Sequence, residues 1–282
     1  MEKQCIFLDV DGTLCAQDGS VPASAVQAIQ QAKEQGHTIF LCTGRSKPEI
    51  TDALLNLNLD GIIGAGGAYI EVDGVVLLHQ TMDETKVRVL ETYFKEHNIG
   101  YYLETNDGLF ASDNCVASLE VAIDSFFNQH PDLERPLGGA NWFYEILSEN
   151  DGKPIDYSAI NKISFISATH PYQAVVDAFG DDFEMHHSTV AMFGPNSGEV
   201  AVKGITKYTA VNQVLNYLGF KQSQSMAYGD GGNDVDMFRA VNYGVAMANA
   251  KQVLLDIADE VTAIAEEDGI LQSFKRNGLI GE

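Results

Sequence analysis

Ile6-Phe7-Leu8-Asp9-Val10-Asp11-Gly12-Thr13-Leu14 joins an apolar run to two acids and a glycine. The run reads as a short buried strand that delivers two carboxylates at its end. In an extended segment residues i and i+2 face the same way, so Asp9 and Asp11 are expected to project together, and Gly12 lets the chain turn sharply beside them. Two carboxylates side by side repel and stay ionised together only near a cation or strong donors. The stretch therefore predicts a cation with oxygen ligands, and Mg2+ is the ion expected.

The segments that follow place this strand in a sheet. Ser20-Val21-Pro22 reads as a helix start, Ala25, Ile29 and Ala32 form an apolar stripe, and Gly36 closes the helix. His37 to Cys42 is a second short strand, followed by Thr43-Gly44-Arg45. Strand, helix and strand of this length make a βαβ unit, hence a parallel sheet with helices on its faces. Ligands bind beyond the carboxyl ends of such strands, where Asp9, Asp11 and Thr43 fall. A helix from about Pro48 to Leu57 leads to a third strand at Gly61-Ile62-Ile63. Gly64-Ala65-Gly66-Gly67-Ala68 invites a dinucleotide reading, but Tyr69 to Val76, built around Asp73-Gly74, is a hairpin where that fingerprint needs a helix.

From about Met82 the rhythm changes. A helix carrying Val87, Leu90 and Phe94, strands at Ile99 to Leu103 and Leu109 to Ser112, and a helix from Val116 to Phe127 are expected. Strands at Asn161 to Ser167 and Thr189 to Phe193 flank a helix around Tyr172 to Phe179. Gln129 to Ser158 stays unassigned, with Trp142-Phe143-Tyr144 read as local core. His186 and His187 are adjacent on a strand, point to opposite faces and cannot chelate one ion together. The α/β pattern resumes after Pro195-Asn196-Ser197-Gly198. Ile205-Thr206-Lys207 opens a helix with Val211, Val214, Leu215 and Leu218 on one face, and Ser225 to Tyr228 is a strand that delivers Gly229-Asp230-Gly231-Gly232-Asn233-Asp234. Strands at Tyr243 to Met247 and Glu260 to Ile264 follow. The expected architecture is α/β: a doubly wound, Rossmann-like parallel-sheet core over 1–82 and 197–282, with an α+β unit over 83–196 inserted into it.

At 282 residues the chain exceeds the usual single-core size, in keeping with two domains. Seventeen Lys and Arg against 40 Asp and Glu give a formal charge of −23, which repels nucleic acid and anionic lipid, so neither is expected as a partner. No basic segment with an apolar core precedes the first strand, and no stretch of about 18 apolar residues occurs, so a cytoplasmic location is expected. Cys5, Cys15, Cys42 and Cys115 lack Cys-x-x-Cys spacing and read as small core residues, with neither disulfide nor zinc.

Asp9, Asp11, Thr43, Lys207, Asp230, Asn233 and Asp234 thus collect at strand ends or helix starts of one sheet. Acidic oxygens suit Mg2+, while Thr43, glycine-rich backbone and Lys207 suit a phosphate. Together they point to phosphoryl transfer. Lys203 competes with Lys207 for the phosphate, but Lys207 lies in the first turn of its helix, where a cation is unfavourable unless an anion is nearby.

These segments resemble the four motifs of the haloacid dehalogenase superfamily, in order: Asp9-Val10-Asp11-Gly12-Thr13, Thr43-Gly44-Arg45, Gly204-Ile205-Thr206-Lys207 and Gly229-Asp230-Gly231-Gly232-Asn233-Asp234. Within it the chain looks like the Cof-type, type IIB sugar-phosphatase group, whose C2-type cap is inserted between the second and third motifs. The resemblance implies that Asp9 is a nucleophile forming an aspartyl phosphate, and that Asp11 is general acid to the leaving group and then base to water. It implies Mg2+ held by Asp9, the Asp11 backbone carbonyl and Asp230, with Asp234 close behind. It implies phosphate contacts from the Val10 backbone, Thr43, Gly44, Arg45, Lys207 and Asn233, and a small phosphorylated metabolite, a sugar phosphate, as substrate selected by the cap. One departure stands out: family members often carry Asn-Gly-Ala where this chain has Gly66-Gly67-Ala68. A phosphomutase of the same fold needs the same acids, and a non-catalytic phosphate-binding regulator would be expected to have lost one of them; none is lost.

Overall fold

The computed structural model describes residues 2–133 and 141–281. In chain order the strands are β1 (Cys5–Leu8), β2 (Thr38–Cys42), β3 (Gly61–Gly64), β4 (Tyr69–Val72) and β5 (Val75–His79). Then come β6 (Gly100–Glu104), β7 (Leu109–Ala111), β8 (Lys162–Ile166), β9 (Phe183–His187) and β10 (Gly198–Val202). The last three are β11 (Ser225–Gly229), β12 (Tyr243–Met247) and β13 (Glu260–Thr262). Two sheets result, ordered β13-β12-β11-β1-β2-β3-β4-β5 and β7-β6-β8-β10-β9.

The chain divides into two compact units. The first runs to Arg45, takes in Ile50–Leu78 and resumes at Ile205; the second comprises Ser46–Glu49 and His79–Gly204.

In the first unit β1 lies at the centre, parallel to β2 with Cys5 opposite Thr38, and parallel to β11 with Cys5 opposite Ser225. Its four residues are all buried because alternate side chains enter different layers. Ile6 and Leu8 pack with Ile39, Leu41, Met226 and Tyr228 against the helices Ala23–Glu34 and Gly269–Arg276, through Ala28, Ile29, Ile270 and Phe274. Cys5 and Phe7 pack with Phe40, Cys42 and Ala227 against the helices Lys207–Leu218 and Asp234–Ala240, through Val211, Val214 and Met237. Apolar residues on both faces are the reason these strands read as unbroken hydrophobic runs. The fold class is therefore α/β with a doubly wound core, edged on one side by the antiparallel β4 and β5. The helix expected over Pro48 to Leu57 is shorter than its sequence suggests, a 3-10 turn at Lys47–Glu49 and one helical turn at Asp52–Leu55.

In the second unit all strand pairs are antiparallel. One face carries Tyr101, Leu103, Ile163, Phe165 and Val200 against the helices Glu84–Glu96 and Tyr172–Phe179. Two expectations shift here. Thr189 to Phe193 is not a strand but contains a 3-10 turn that ends at Gly194, where φ is +82°, a value glycine adopts freely. Gly198–Val202 belongs to this sheet, between β8 and β9, so the unit extends to Gly204. His187 stacks on Tyr172 with centroids 3.7 Å apart. Of Gln129 to Ser158, residues 134–140 lie outside the described ones; Asn141–Ser148 is a helix whose Phe143 meets Tyr102 edge-on.

The other face buries charge. Glu104 is fully inaccessible and accepts hydrogen bonds from Ser46 and Ser164, while Lys162 Nζ stands 3.2 Å from Glu104 and 3.6 Å from Glu199. Burial alone lowers the Lys162 pKa, and the Glu104 and Glu199 carboxylates outweigh it and hold the ammonium charged. Lys162→Met is therefore expected to cost about 3–5 kcal/mol, because it strands Glu104 unpaired, whereas Lys162→Met with Glu104→Gln recovers most of the loss. Urea unfolding of both variants measures this, and equal stability of the single and double variants would refute it.

All four cysteines are free and buried, and burial pushes the Cys42 thiol up to about 12 and Cys15 to about 11, so both stay protonated and inert. Among the described residues no helix is long and apolar enough to cross a membrane.

Candidate active site

β1 stops at Leu8, so strand alternation does not govern the two acids that follow. The Asp9 N–H donates to the Tyr228 carbonyl at 3.0 Å and the Asp9 side chain stays buried. The Val10 carbonyl accepts from the N–H groups of Thr13, Leu14 and Cys15 at 3.4, 3.1 and 2.8 Å, which winds the chain into a tight turn. Gly12 sits in it at φ +78°, where a Cβ would stand 2.5 Å from Asp230 Oδ2. The Asp11 side chain is 62% exposed and is gripped by Arg45, Nε to Oδ2 at 2.9 Å and the NH2 nitrogen to Oδ1 at 2.6 Å. The early end of the strand removes the alternation on which the expectation that Asp9 and Asp11 project together rests. One acid is buried and the other is clamped near solvent.

Lys207 is the first residue of the helix Lys207–Leu218, whose start is fixed by Thr206: its hydroxyl accepts from the Tyr208 N–H, and the Thr209 hydroxyl accepts from the Thr206 N–H. Lys207 Nζ donates to Asp9 Oδ1 and to Asp234 Oδ1, both at 2.7 Å, in a setting where all three side chains are buried. These carboxylates offset the cation in the first turn. They also hold the Lys207 pKa above its ordinary value against the opposing pull of burial. Lys203 is elsewhere, donating to the Gly180 and Phe183 carbonyls at 2.6 and 3.3 Å.

Asp234 opens the helix Asp234–Ala240, and its Oδ2 accepts from the N–H groups of Asp230 and Gly231 at 3.0 and 2.9 Å. This closes the glycine-rich turn after β11. Burial first, and the Asp234 charge second, push the Asp9 carboxyl well above the usual carboxylate range, and the same causes in the same order lift Asp230 to about 6. Three carboxylates face one ammonium.

Thr43 is buried; its hydroxyl accepts from the Arg45 N–H at 3.1 Å and its carbonyl accepts from the Gly66 N–H at 3.1 Å. Gly44 lies between Thr43 and Arg45 in this turn. Gly67, at φ +118°, would put a Cβ 2.6 Å from the Thr206 carbonyl, so this glycine lets the loop approach the helix start closely. Gly66, at φ +64°, would meet nothing within 4 Å. A side chain at position 66 would thus enter open space next to the Thr43 carbonyl, which the Gly66 N–H contacts. Asn233 caps the helix at Asp234 without a side-chain cap bond, partly exposed.

Two residues escaped the sequence reading. The Thr13 hydroxyl donates to Asp230 Oδ1 at 3.2 Å, and Asn249 Nδ2 lies 3.3 Å from Asp230 Oδ2 and 3.0 Å from the Gly12 carbonyl. Thr13 had a visible signal in its place beside the two acids. Asn249 had none, sitting in an unremarked Ala-Asn-Ala after β12.

One oxygen from each of Asp9, Asp230 and Asp234 lies within 4.8 Å of the others. An all-oxygen donor set with surplus negative charge fits a hard divalent cation. The Asp11 carboxylate is not in that group, being held by Arg45.

The sequence pattern of the haloacid dehalogenase-like hydrolases matches residues 6–274. Phosphatase YwpJ of Bacillus subtilis is 25% identical over 287 residues, spanning 96% of this chain and 98% of that protein. The 5-amino-6-(5-phospho-D-ribitylamino)uracil phosphatase YwtE of the same organism is 26% identical over 280 residues, spanning 95% of each. A solved haloacid dehalogenase-like hydrolase from B. subtilis superposes with a TM-score of 0.79 at 23% identity, over 96% of this chain and 99% of that one. A sugar phosphatase of subclass IIB gives 0.77 at 24% identity, over 99% and 100%. With the turn after β1, the Lys207 contact and the acid pair after β11 all inside the matched span, the chain belongs to the haloacid dehalogenase-like hydrolase family.

Proposed function

We propose that the protein is a Mg2+-dependent phosphatase that hydrolyses a small phosphorylated metabolite through an aspartyl phosphate on Asp9. The observation that carries this reading is the buried Asp9 carboxylate, fixed by Lys207 on Oδ1 and grouped with Asp230 and Asp234. Asp9, Asp230 and the Asp11 backbone carbonyl would hold Mg2+, with Asp234 behind them, and the bound ion would neutralise charge between an anionic nucleophile and an anionic phosphate.

In the first step an Asp9 oxygen forms a bond to phosphorus as the bond from phosphorus to the leaving oxygen breaks, and Asp11 gives its proton to that oxygen. In the second Asp11 takes a proton from water, the water oxygen bonds to phosphorus, and the Asp9–phosphorus bond breaks to release inorganic phosphate. Lys207 stays charged throughout, stabilising the phosphoryl oxygens. The Val10 backbone, Thr43, Gly44 and Asn233 line the same strand ends as donors to phosphate. Arg45 holds Asp11 until substrate arrives, then serves the phosphate. Relatives named for a phosphorylated ribityl compound and for sugar phosphates support a polyhydroxylated monophosphate as the substrate class. The inserted unit is the element expected to choose among such substrates.

A phosphate-release screen over phosphorylated metabolites tests the reading. Activity is expected with Mg2+ and lost in chelator, and Ca2+ is expected to inhibit, because it prefers more ligands at longer distances than the near-octahedral Mg2+. Full activity in excess chelator would refute the metal assignment. Phosphate recovered on another hydroxyl, with none released, would mark a mutase.

A further inference from the structure

We propose that Asn249 is a positioning residue that aims the Asp230 carboxylate and thereby sets the affinity for the divalent cation; this rests on the reading of Asp230 as a ligand.

Both neighbours of the Asn249 amide, the Gly12 carbonyl at 3.0 Å and Asp230 Oδ2 at 3.3 Å, are acceptors only. Nδ2 is the one atom of that side chain that can satisfy both, with one N–H for each. Asp230 is then held on two sides, by Thr13 on Oδ1 and by Asn249 on Oδ2, so its carboxylate plane cannot rotate freely. Outer partners that fix a ligating carboxylate in this way govern metal affinity.

The backbone shows that the Asn249 turn is built onto Asp230. The Lys251 N–H donates to the Asp230 carbonyl at 2.9 Å, and the Ala250 N–H donates to the Met247 carbonyl at 2.9 Å, closing a tight turn directly after β12. Main chain and side chain of this turn thus grip the same residue. The contact with the Gly12 carbonyl matters as well, because Gly12 is at φ +78° in the turn that carries Asp11. One amide therefore staples the turn after β1 to the turn after β11.

Calorimetric titration of the purified full chain with Mg2+, in the absence of substrate, tests the proposal. Asn249→Ala is expected to weaken binding about 10–100-fold, the usual effect of losing an outer partner of a metal ligand. Asn249→Ser, whose hydroxyl is too short to reach both acceptors, is expected to do the same and provides a second variant should the first fold poorly. Lys251→Ala, which alters the same turn but keeps its backbone bond to Asp230, is expected to bind within about twofold of wild type. In steady-state assays the Mg2+ concentration for half-activity should rise in the Asn249 variants and stay near the wild-type value in Lys251→Ala. Unchanged Mg2+ affinity in folded Asn249→Ala or Asn249→Ser would overturn the proposal, as would an equal loss in Lys251→Ala. Failure of the wild type itself to bind Mg2+ would instead remove the ligand reading of Asp230, and the proposal with it.

Discussion

Asp9→Asn is expected to lower kcat by about 10⁴-fold or more while the protein becomes more stable. The loss of rate follows from replacing a nucleophilic oxygen with an amide of the same shape, and single losses of a nucleophile are among the largest known. The gain follows from charge: three buried or half-buried carboxylates share one ammonium, and Asn removes one of the three. Since about 1 kcal/mol moves the midpoint of a chain this size by about 2–4 °C, a rise of at least that much is expected in chelator. Added Mg2+, which stabilises the wild type by binding its folded state, should shrink the difference. Thermal melts and phosphate release on one preparation measure both effects. Activity within tenfold of wild type would end the covalent reading, and a lower midpoint in chelator would end the repulsion argument.

Lys207→Met should cut kcat/KM by about 10²–10³-fold or more, as loss of a preorganised charge does, whereas Lys203→Ala changes it little. Among the described residues Lys203 donates only to the carbonyls of Gly180 and Phe183. Lys207→Met should also destabilise by about 3–5 kcal/mol, since Asp9 and Asp234 are left buried without their cation. That loss could mimic a catalytic defect, so the informative variant is Lys207→Met with Asp234→Asn. The pair relieves the surplus charge and is expected to recover stability without recovering rate. Recovery of both would make Lys207 a structural ion only, and a larger rate loss in Lys203→Ala would reverse the assignment.

The core was legible from sequence because its central strands are buried on both faces and their apolar runs are unbroken, as in Cys5–Leu8. The acid and glycine segments were legible because charge at the end of a buried strand is costly and therefore conspicuous. What was misread has a physical cause in each instance. Alternation is carried to Asp11, three residues past the end of the strand at Leu8, and across that turn one acid is buried and the other exposed. In the second unit Thr189 to Phe193 has strand-forming residues, yet the alternating Phe183–His187 and Gly198–Val202 on either side take the sheet positions. Asn249 could not be seen at all, because its meaning lies in two acceptors from distant segments, Gly12 and Asp230.

The pairing of β1 with β11 also matters while the chain is being made. β1 leaves the ribosome well ahead of its neighbour Ser225–Gly229, which follows more than two hundred residues later. At about 5–20 residues per second that interval is on the order of 10–40 s. Throughout it the nascent chain can pair Cys5–Leu8 only with β2, leaving the other edge of the most apolar strand bare. The His79–Gly204 segment is nearly self-contained in sequence and can close its sheet before β11 exists. The late-arriving strand sets the time during which that edge stays uncovered, and translation intermediates halted before and after residue 229 are expected to differ sharply in the protease resistance of the segment around β1 and β2.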